Sequence, residues 1–132
     1  MANSTLLLRA LRLNAFFSAS SALLLLLGGP WVAAQLGLAS VVPVYVTAGL
    51  LAMFALQLGN IVRTREIRAM EIAGIIGGDI AWVAGSVILV ALFYPSLTTA
   101  GLLLVDAVAI AVLYFAIQQI RGLRALRRSA AG

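Results

Sequence analysis

Two aspartates are the only carboxylates that lie well inside the apolar parts of this sequence. Asp79 and Asp106 each fall within an apolar run long enough to cross a bilayer. An aspartate at the centre of a membrane helix costs about 2.5–3.5 kcal/mol on insertion scales, so we expect it to face other helices, a neighbouring protein or water. Each carboxyl has two interpretations: a proton or cation site or a substrate counter-ion, or a hydrogen-bonding group that fixes helix packing.

Other polar side chains are spaced so that they could meet Asp79 inside a helical bundle. Asn14 and Ser18 are four residues apart on the first apolar run, and therefore share one face of a helix. Gln57 on the second run and Tyr114 on the fourth are expected at a similar depth. We expect these side chains to form a polar cluster in the cytoplasmic half of the bundle. It would be either ordinary interhelical hydrogen bonding or a binding site.

The rest of the composition excludes most enzyme mechanisms. The 132 residues include no histidine and no cysteine. Their absence removes the usual general base near neutral pH, the commonest metal ligand and every thiol nucleophile. Four carboxylates are the only acidic side chains. The sequence therefore predicts a protein that is not an enzyme and that binds no metal ion and no cofactor.

The proportion of apolar residues indicates a membrane protein. Hydrophobic residues make up 64% of the chain and charged residues 10%, whereas a soluble domain is about half apolar and about a quarter charged. Four continuous apolar runs can each supply about 20 residues, which matches the thickness of the hydrocarbon core. Because only helices or closed barrels satisfy the backbone in lipid, and the runs do not alternate, the sequence predicts helices. The expected fold is a single all-α domain, an integral membrane four-helix transmembrane bundle made of two helical hairpins.

Turn-forming residues set the expected helix boundaries. The Gly28–Pro30 segment should end the first helix, and Thr98 or Thr99 should cap the fourth. Residues 1–34 also resemble a signal peptide, but the apolar stretch is long for one, and we expect it to be retained as a helix. The expected helices are at about 6–28, 41–62, 71–94 and 98–119, followed by a basic tail at 120–132.

The positions of the arginines predict the orientation in the membrane. All nine lie in the first turns of the first helix, between the second and third, or after the fourth, and the other two loops carry no charge. The positive-inside rule then puts both termini in the cytoplasm. The arginines are not interleaved with aromatic residues on one face, so nucleic acid is not an expected partner. Anionic lipid headgroups are expected partners of the tail, through Arg121, Arg124, Arg127 and Arg128.

Small residues form a stripe along the third helix, at Gly74, Gly78, Ala81 and Gly85. Such a stripe lets a second helix backbone approach closely. That helix could belong to the same chain or to a neighbouring membrane protein. The stripe therefore predicts helix packing, with the partner left open.

Two segments carry a resemblance to known proteins. Leu11–Ser21 (LRLNAFFSASS) and Asp79–Ser86 (DIAWVAGS) resemble a group of small four-helix bacterial membrane proteins. The resemblance covers most of the chain and implies a bacterial inner membrane, but it implies no reaction and no site residues. The chain differs from small multidrug transporters, which carry a membrane-embedded glutamate in the first helix, since its own first helix has no acidic residue.

Two functions fit these observations. The first is a non-enzymatic structural or accessory subunit that packs against a larger membrane complex or associates with itself. The very short loops favour it, because they leave no room for a soluble catalytic site. The second is a small oligomeric proton- or cation-coupled transporter or channel, in which Asp79, with or without Asp106, lines the route.

Overall fold

Four long helices make up almost the whole chain. The computed structural model describes residues 2–131, with side chains described for residues 4–130. Each helix is long and apolar enough to span a membrane, and the described residues contain no strand. The predicted all-α four-helix transmembrane bundle is thus confirmed, and the chain is a multi-pass membrane protein. The elements are α1 (Ala2–Gln35), α2 (Val42–Thr64), α3 (Ala69–Phe93), a 3₁₀ turn (Tyr94–Ser96) and α4 (Thr99–Ala131).

Helix α1 continues beyond the point where the sequence predicted its end. Gly28 leaves the helical conformation, with φ −110° and ψ 17°, and the helix then resumes. Pro30 lies in the first turn of the resumed helix, where its missing N–H costs little. The segment therefore interrupts the helix at Gly28, as predicted, but a second helical stretch continues to Gln35, so the segment kinks α1 rather than ending it.

Helix α4 also exceeds its predicted length. It was expected to end near residue 119 before a separate basic tail, but it runs to Ala131. Its last turns are rich in alanine, leucine and arginine, which are good helix formers. Leu123 is buried there in the core, so tertiary packing supports the extension. The basic tail is therefore the final part of a helix rather than a separate segment.

One glycine lets α1 and α4 come close together at this end. A Cβ atom placed on Gly122 would lie 2.9 Å from the Cα of Leu7, well inside van der Waals contact. Only glycine avoids this overlap without a shift of the backbone. The close approach at Gly122 therefore sets the spacing of the two helices.

The opposite end of the α1–α4 pair is held by a polar contact. Thr98 Oγ1 accepts a hydrogen bond from the Gly101 N–H at 3.0 Å, which confirms Thr98 as the cap of α4. The same hydroxyl donates to Gln35 Oε1 at 2.7 Å. The Thr98 N–H also donates to the Gln35 carbonyl at 3.1 Å. The last residue of α1 is thus tied to the first turn of α4.

The helices pack unevenly around the bundle. Helix α1 packs along α2 and α4, and α3 packs along α4. Helices α2 and α3 meet mainly through side chains near one end of the bundle, where all the arginines lie. We call this the arginine end, and the opposite end the charge-free end. Farther along, towards the charge-free end, they separate. The core at the arginine end contains Leu7, Leu11, Leu58, Ile61, Ile72, Ile75, Ile76 and Leu123.

We predict that Gly122→Ala destabilises the protein by about 1–3 kcal/mol relative to Gly74→Ala, because the added methyl group collides with the Leu7 backbone. Gly74 is the matched control, since a Cβ there meets nothing within 4 Å. Both changes gain the same helix propensity, so the difference isolates the collision. Reversible unfolding in mixed micelles measures it. Equal stability of the two variants would contradict this packing.

Candidate functional site

Three polar side chains from three helices form a closed hydrogen-bonded triangle. Asn14 Nδ2 donates to Asp79 Oδ2 at 2.9 Å and to Gln119 Oε1 at 2.9 Å. Gln119 Nε2 donates to the same Asp79 oxygen at 2.7 Å. Ser18 Oγ adds a fourth bond by donating to Asn14 Oδ1 at 3.2 Å. We call the three residues Asn14, Asp79 and Gln119 the polar triangle.

The polar triangle is shielded from its surroundings. Its members are 1%, 4% and 0% exposed, for Asn14, Asp79 and Gln119 in that order. No fully buried side-chain N or O atom among the described residues lacks a hydrogen-bond partner. Because buried polar groups are stable only when they are paired, the pairing of every fully buried polar atom allows the triangle to sit inside an apolar bundle.

Helical periodicity brings the three side chains together. Gln119 continues the buried face of α4 that includes Val112, Phe115 and Ala116, at the spacing of three and four residues that keeps side chains on one face. Phe115 packs edge to face on Phe17 of α1 at a centroid distance of 5.4 Å. This contact sets the register between α1 and α4 one turn away from the triangle.

A cavity of about 330 Å³ borders the polar triangle on its charge-free side. Asn14, Ser18, Ser21 and Asp79 supply its polar wall, and the remaining wall is mostly apolar. The volume is large enough for several water molecules. Asp79 accepts both triangle bonds through Oδ2 alone, so its second oxygen is the group able to hold a proton or contact a small polar species at the cavity.

The cluster expected from the sequence is only partly the one that forms. The structure brings Asn14 and Ser18 to Asp79 as expected. It leaves Gln57 outside, where the Gln57 amide is 3.5 Å from Glu71 at the exposed arginine end. It also leaves Tyr114 outside, on the surface of α4 and 52% exposed. Tyr114 directly precedes Phe115, so its neighbour takes the inward position and the tyrosine ring points away.

Sequence reasoning missed Gln119. It was assigned to the region where the fourth membrane span gives way to the basic tail, because the apolar run ends at Ile117. The available signal was its place on the inward stripe of α4, three residues after Ala116 and four before Leu123. A polar residue that continues an apolar stripe is a candidate for a buried hydrogen bond.

Asp106 does not join Asp79. It lies on the outer surface of α4, seven residues or about 10 Å from the start of that helix at 1.5 Å per residue. It makes no hydrogen bond or ion pair with the residues that the structure describes. Of the three environments expected for this carboxyl, the interior of the bundle is therefore ruled out, and a neighbouring molecule or water remains.

The small-residue stripe of α3 is not packed against another helix of the chain. A Cβ on Gly74 or Gly85 would meet nothing within 4 Å, and one on Gly78 would meet only the Phe54 ring at 3.8 Å. Ala81 and Gly85 line a larger apolar cleft of about 1,120 Å³, to which all four helices contribute side chains. The close approach of another helix of the chain that the glycines allow is therefore limited, among these glycines, to ordinary van der Waals contact between Gly78 and Phe54 of α2.

The arginines expected at lipid headgroups lie on an exposed helical surface. Arg121, Arg124, Arg127 and Arg128 are all exposed on the last turns of α4. Leu123 faces the core between them. The helix thus presents a basic side and an apolar side at the arginine end.

Comparison with known proteins gives no family for the chain. No protein-family model, no curated protein and no solved structure matches it. The resemblance to small four-helix bacterial membrane proteins therefore stays a prediction. What the site can do follows from its contacts: the triangle can lock three helices, and Asp79 can hold a proton at the cavity.

We predict that Asp79→Leu destabilises the protein by about 1–2 kcal/mol more than Asp79→Asn. The asparagine oxygen can still accept from Asn14 and Gln119, whereas leucine leaves both donors buried and unpaired. Unfolding of each variant in mixed micelles, at fixed pH, measures the difference.

The triple variant Asn14→Leu, Asp79→Leu, Gln119→Leu is the control for this interpretation. It removes every donor and acceptor of the triangle together, and should be more stable than Asp79→Leu alone. The Ser18 hydroxyl, which loses its Asn14 acceptor, can donate instead to the backbone carbonyl of residue 14 in its own helix. A triple variant less stable than the single one would show that the triangle does not act as a unit.

Proposed function

We propose that this chain is a non-enzymatic accessory membrane protein that works by associating with other transmembrane helices. The observation that carries the proposal is Asp106, an ionisable side chain on the outer surface of α4, well inside the apolar part of the helix. Nothing in the described chain satisfies it. A helix from another protein or from a second copy is the partner that would satisfy it.

The free energy of insertion supports this interpretation. An aspartate near the bilayer centre costs about 2.5–3.5 kcal/mol, and each leucine, isoleucine, phenylalanine or valine returns about 0.3–0.6 kcal/mol. The other residues of α4 can therefore insert the helix with Asp106 in place. The carboxyl still gains by leaving lipid for a hydrogen-bonding partner, because intramembrane ionisable groups face protein or water. Association of helices is thus favoured at this surface.

The polar triangle supports a structural role for the other intramembrane carboxyl. Asp79 accepts from α1 through Asn14 and from α4 through Gln119. These contacts fix three helices relative to one another.

The arginines support the proposed orientation, and the resemblance to small four-helix bacterial membrane proteins supports the proposed membrane. We propose a bacterial inner membrane, with the arginine end and both termini in the cytoplasm. The exposed arginines of α4 would then contact anionic headgroups of the inner leaflet, at about 1 kcal/mol each. These contacts anchor the helix end and leave the membrane-embedded surface free to pair.

We predict that the tagged protein co-purifies from native membranes in mild detergent with a fixed partner, either another membrane protein or an untagged copy of itself. Asp106→Leu should reduce recovery of that partner at least tenfold, whereas Asp106→Asn, which still forms hydrogen bonds, should keep most of it. Quantitative mass spectrometry of the eluate measures both.

The matched control for this experiment is Leu56→Ala, on an exposed site of α2. It should leave recovery of the partner unchanged. A clean monomer with nothing attached, or full recovery with Asp106→Leu, would overturn the proposed function.

A second candidate function rests on the cavity beside Asp79. A carboxyl that borders a cavity of about 330 Å³ inside a membrane bundle could bind and release a proton. The chain would then be a small proton- or cation-coupled transporter or channel. Asp106 lies on a different surface and is not part of this route.

We predict for this candidate that the protein reconstituted in liposomes shows a pH-dependent flux that Asp79→Asn abolishes while the fold survives. Ser86→Ala is the control, because the Ser86 hydroxyl bonds only the Trp82 carbonyl of its own helix, at 2.8 Å. A pH-sensitive dye inside the vesicles reports the flux. Equal signals from wild-type protein, Asp79→Asn and empty vesicles would exclude transport.

A further inference from the structure

We propose that the cavity beside Asp79 binds a lipophilic organic ammonium ion, with its charged head at Asp79 and its apolar body towards the adjoining cleft. The inference concerns the cavity of the second candidate function, but it requires neither transport nor association at Asp106. Three observations carry it: the free hydrogen-bonding capacity of the cavity wall, the charge of that wall, and the apolar space next to it.

One carboxyl oxygen of Asp79 is not used by the polar triangle. Asn14 and Gln119 both donate to Oδ2, and Oδ1 has no partner among the residues that the structure describes. No fully buried side-chain nitrogen or oxygen in that part of the chain is unpaired, so Oδ1 is reached from the cavity that Asp79 lines. Because the residue is only 4% exposed, this oxygen is a nearly enclosed acceptor that faces the cavity.

The rest of the polar wall also offers mainly acceptors. Asn14 donates to both Asp79 and Gln119, and its oxygen accepts from Ser18. The Ser18 hydroxyl uses its single proton in that bond, but its oxygen can still accept. The Ser21 hydroxyl has no partner among the described residues. A ligand that complements this wall is therefore rich in donors, and an ammonium group supplies up to three.

The charge of the wall favours a cation. Among the described residues, Asp79 is the only ionisable side chain that lines either the cavity or the cleft. A carboxylate surrounded by apolar walls attracts a cation more strongly than one in water, because the effective dielectric constant is lower. Phe17, Phe54 and Trp82 also line the cavity, and the faces of aromatic rings attract ammonium groups within about 6 Å.

The adjoining cleft provides space for an apolar body. Five side chains line both the cavity and the larger cleft, so the two spaces adjoin; they are Phe17, Ser21, Leu51, Trp82 and Val108. The cavity alone, at about 330 Å³, is near the lower end of the range of about 300–1,000 Å³ that is typical of ligand sites. A cation with an apolar body dissolves in the bilayer and can enter through the cleft, whereas a small hydrated cation stays in water.

Simpler occupants explain only part of this arrangement. A lipid chain would fill the cleft but would leave the Asp79 oxygen without a donor. Water would satisfy that oxygen but would gain nothing from the aromatic and apolar wall. A lipophilic ammonium ion uses both parts, and the wall therefore matches it better than either alternative.

Trp82 serves as a reporter at the site itself. The chain has two tryptophans, so Trp31→Phe leaves Trp82 as the only one. We predict that 4-bromobenzylammonium quenches the Trp82 fluorescence of this variant in lipid nanodiscs, and that the quenching saturates. The matched neutral and anionic probes, 4-bromobenzyl alcohol and 4-bromobenzoate, should bind about tenfold or more weakly, because they lack the charge that complements Asp79.

Two substitutions in the same background test the contacts. Asp79→Asn removes the charge but keeps an acceptor for the polar triangle, so it should weaken binding of the ammonium probe about tenfold or more and leave binding of the alcohol unchanged. Asp106→Asn, on the outer surface of α4, is the matched control and should change neither. Ser21→Leu narrows the cavity and should weaken both probes, which tests the site even if Asp79→Asn does not fold.

The outcomes separate this inference from the proposed function. Equal affinity for the ammonium and the alcohol, unchanged binding in both Asp79→Asn and Ser21→Leu, or quenching that rises without saturation would overturn the site. None of these results changes co-purification of a partner through Asp106, so the accessory role is judged by its own experiment. Saturable binding without flux in liposomes would support the site and would count against transport alone.

Discussion

A polar side chain in hydrocarbon needs a hydrogen-bonding partner, and this constraint governs the interior of the bundle. Apolar side chains distinguish poorly between one helix arrangement and another, because lipid is as apolar as the core. The polar triangle does distinguish between them, since Asn14, Asp79 and Gln119 satisfy one another only when α1, α3 and α4 hold one register. Helix α2 has no member in the triangle, and it is the helix that separates from α3 at the cleft.

The two intramembrane carboxyls meet the same constraint in different ways. Asp79 is satisfied inside the chain, and its bonds help to build the monomer. Asp106 lies on the outer surface and makes no hydrogen bond or ion pair with the described residues. Under the proposed function, a helix of another protein or of a second copy supplies its partner. Asp79 then serves the fold and Asp106 serves the association.

Much of the fold could be predicted from the sequence, because the hydrocarbon core demands long apolar helices, and Thr98 and the charge-free loops mark helix ends. The lengths of α1 and α4 could not be predicted. Helix α1 resumes after Gly28 and helix α4 persists past residue 119, because these extensions pack on neighbouring helices. Of the candidate site, Asn14, Ser18 and Asp79 could be found from depth and spacing. Which way a side chain faces depends on the rotation of its helix about the helix axis, and an apolar sequence specifies this rotation only weakly. The inward position of Gln119 and the outward positions of Gln57 and Tyr114 could therefore not be predicted.

The proposed association through the surface around Asp106 can be measured by the oxygen accessibility of spin labels in bilayers, before and after the unlabelled partner that co-purifies with the chain, another protein or a second copy, is added. A label replacing Ile110, on that surface, should lose accessibility when the partner is added, while a label replacing Leu56 on α2 should stay accessible. A label at residue 110 that remained as accessible to oxygen as one at residue 56 after the addition would contradict the proposed function.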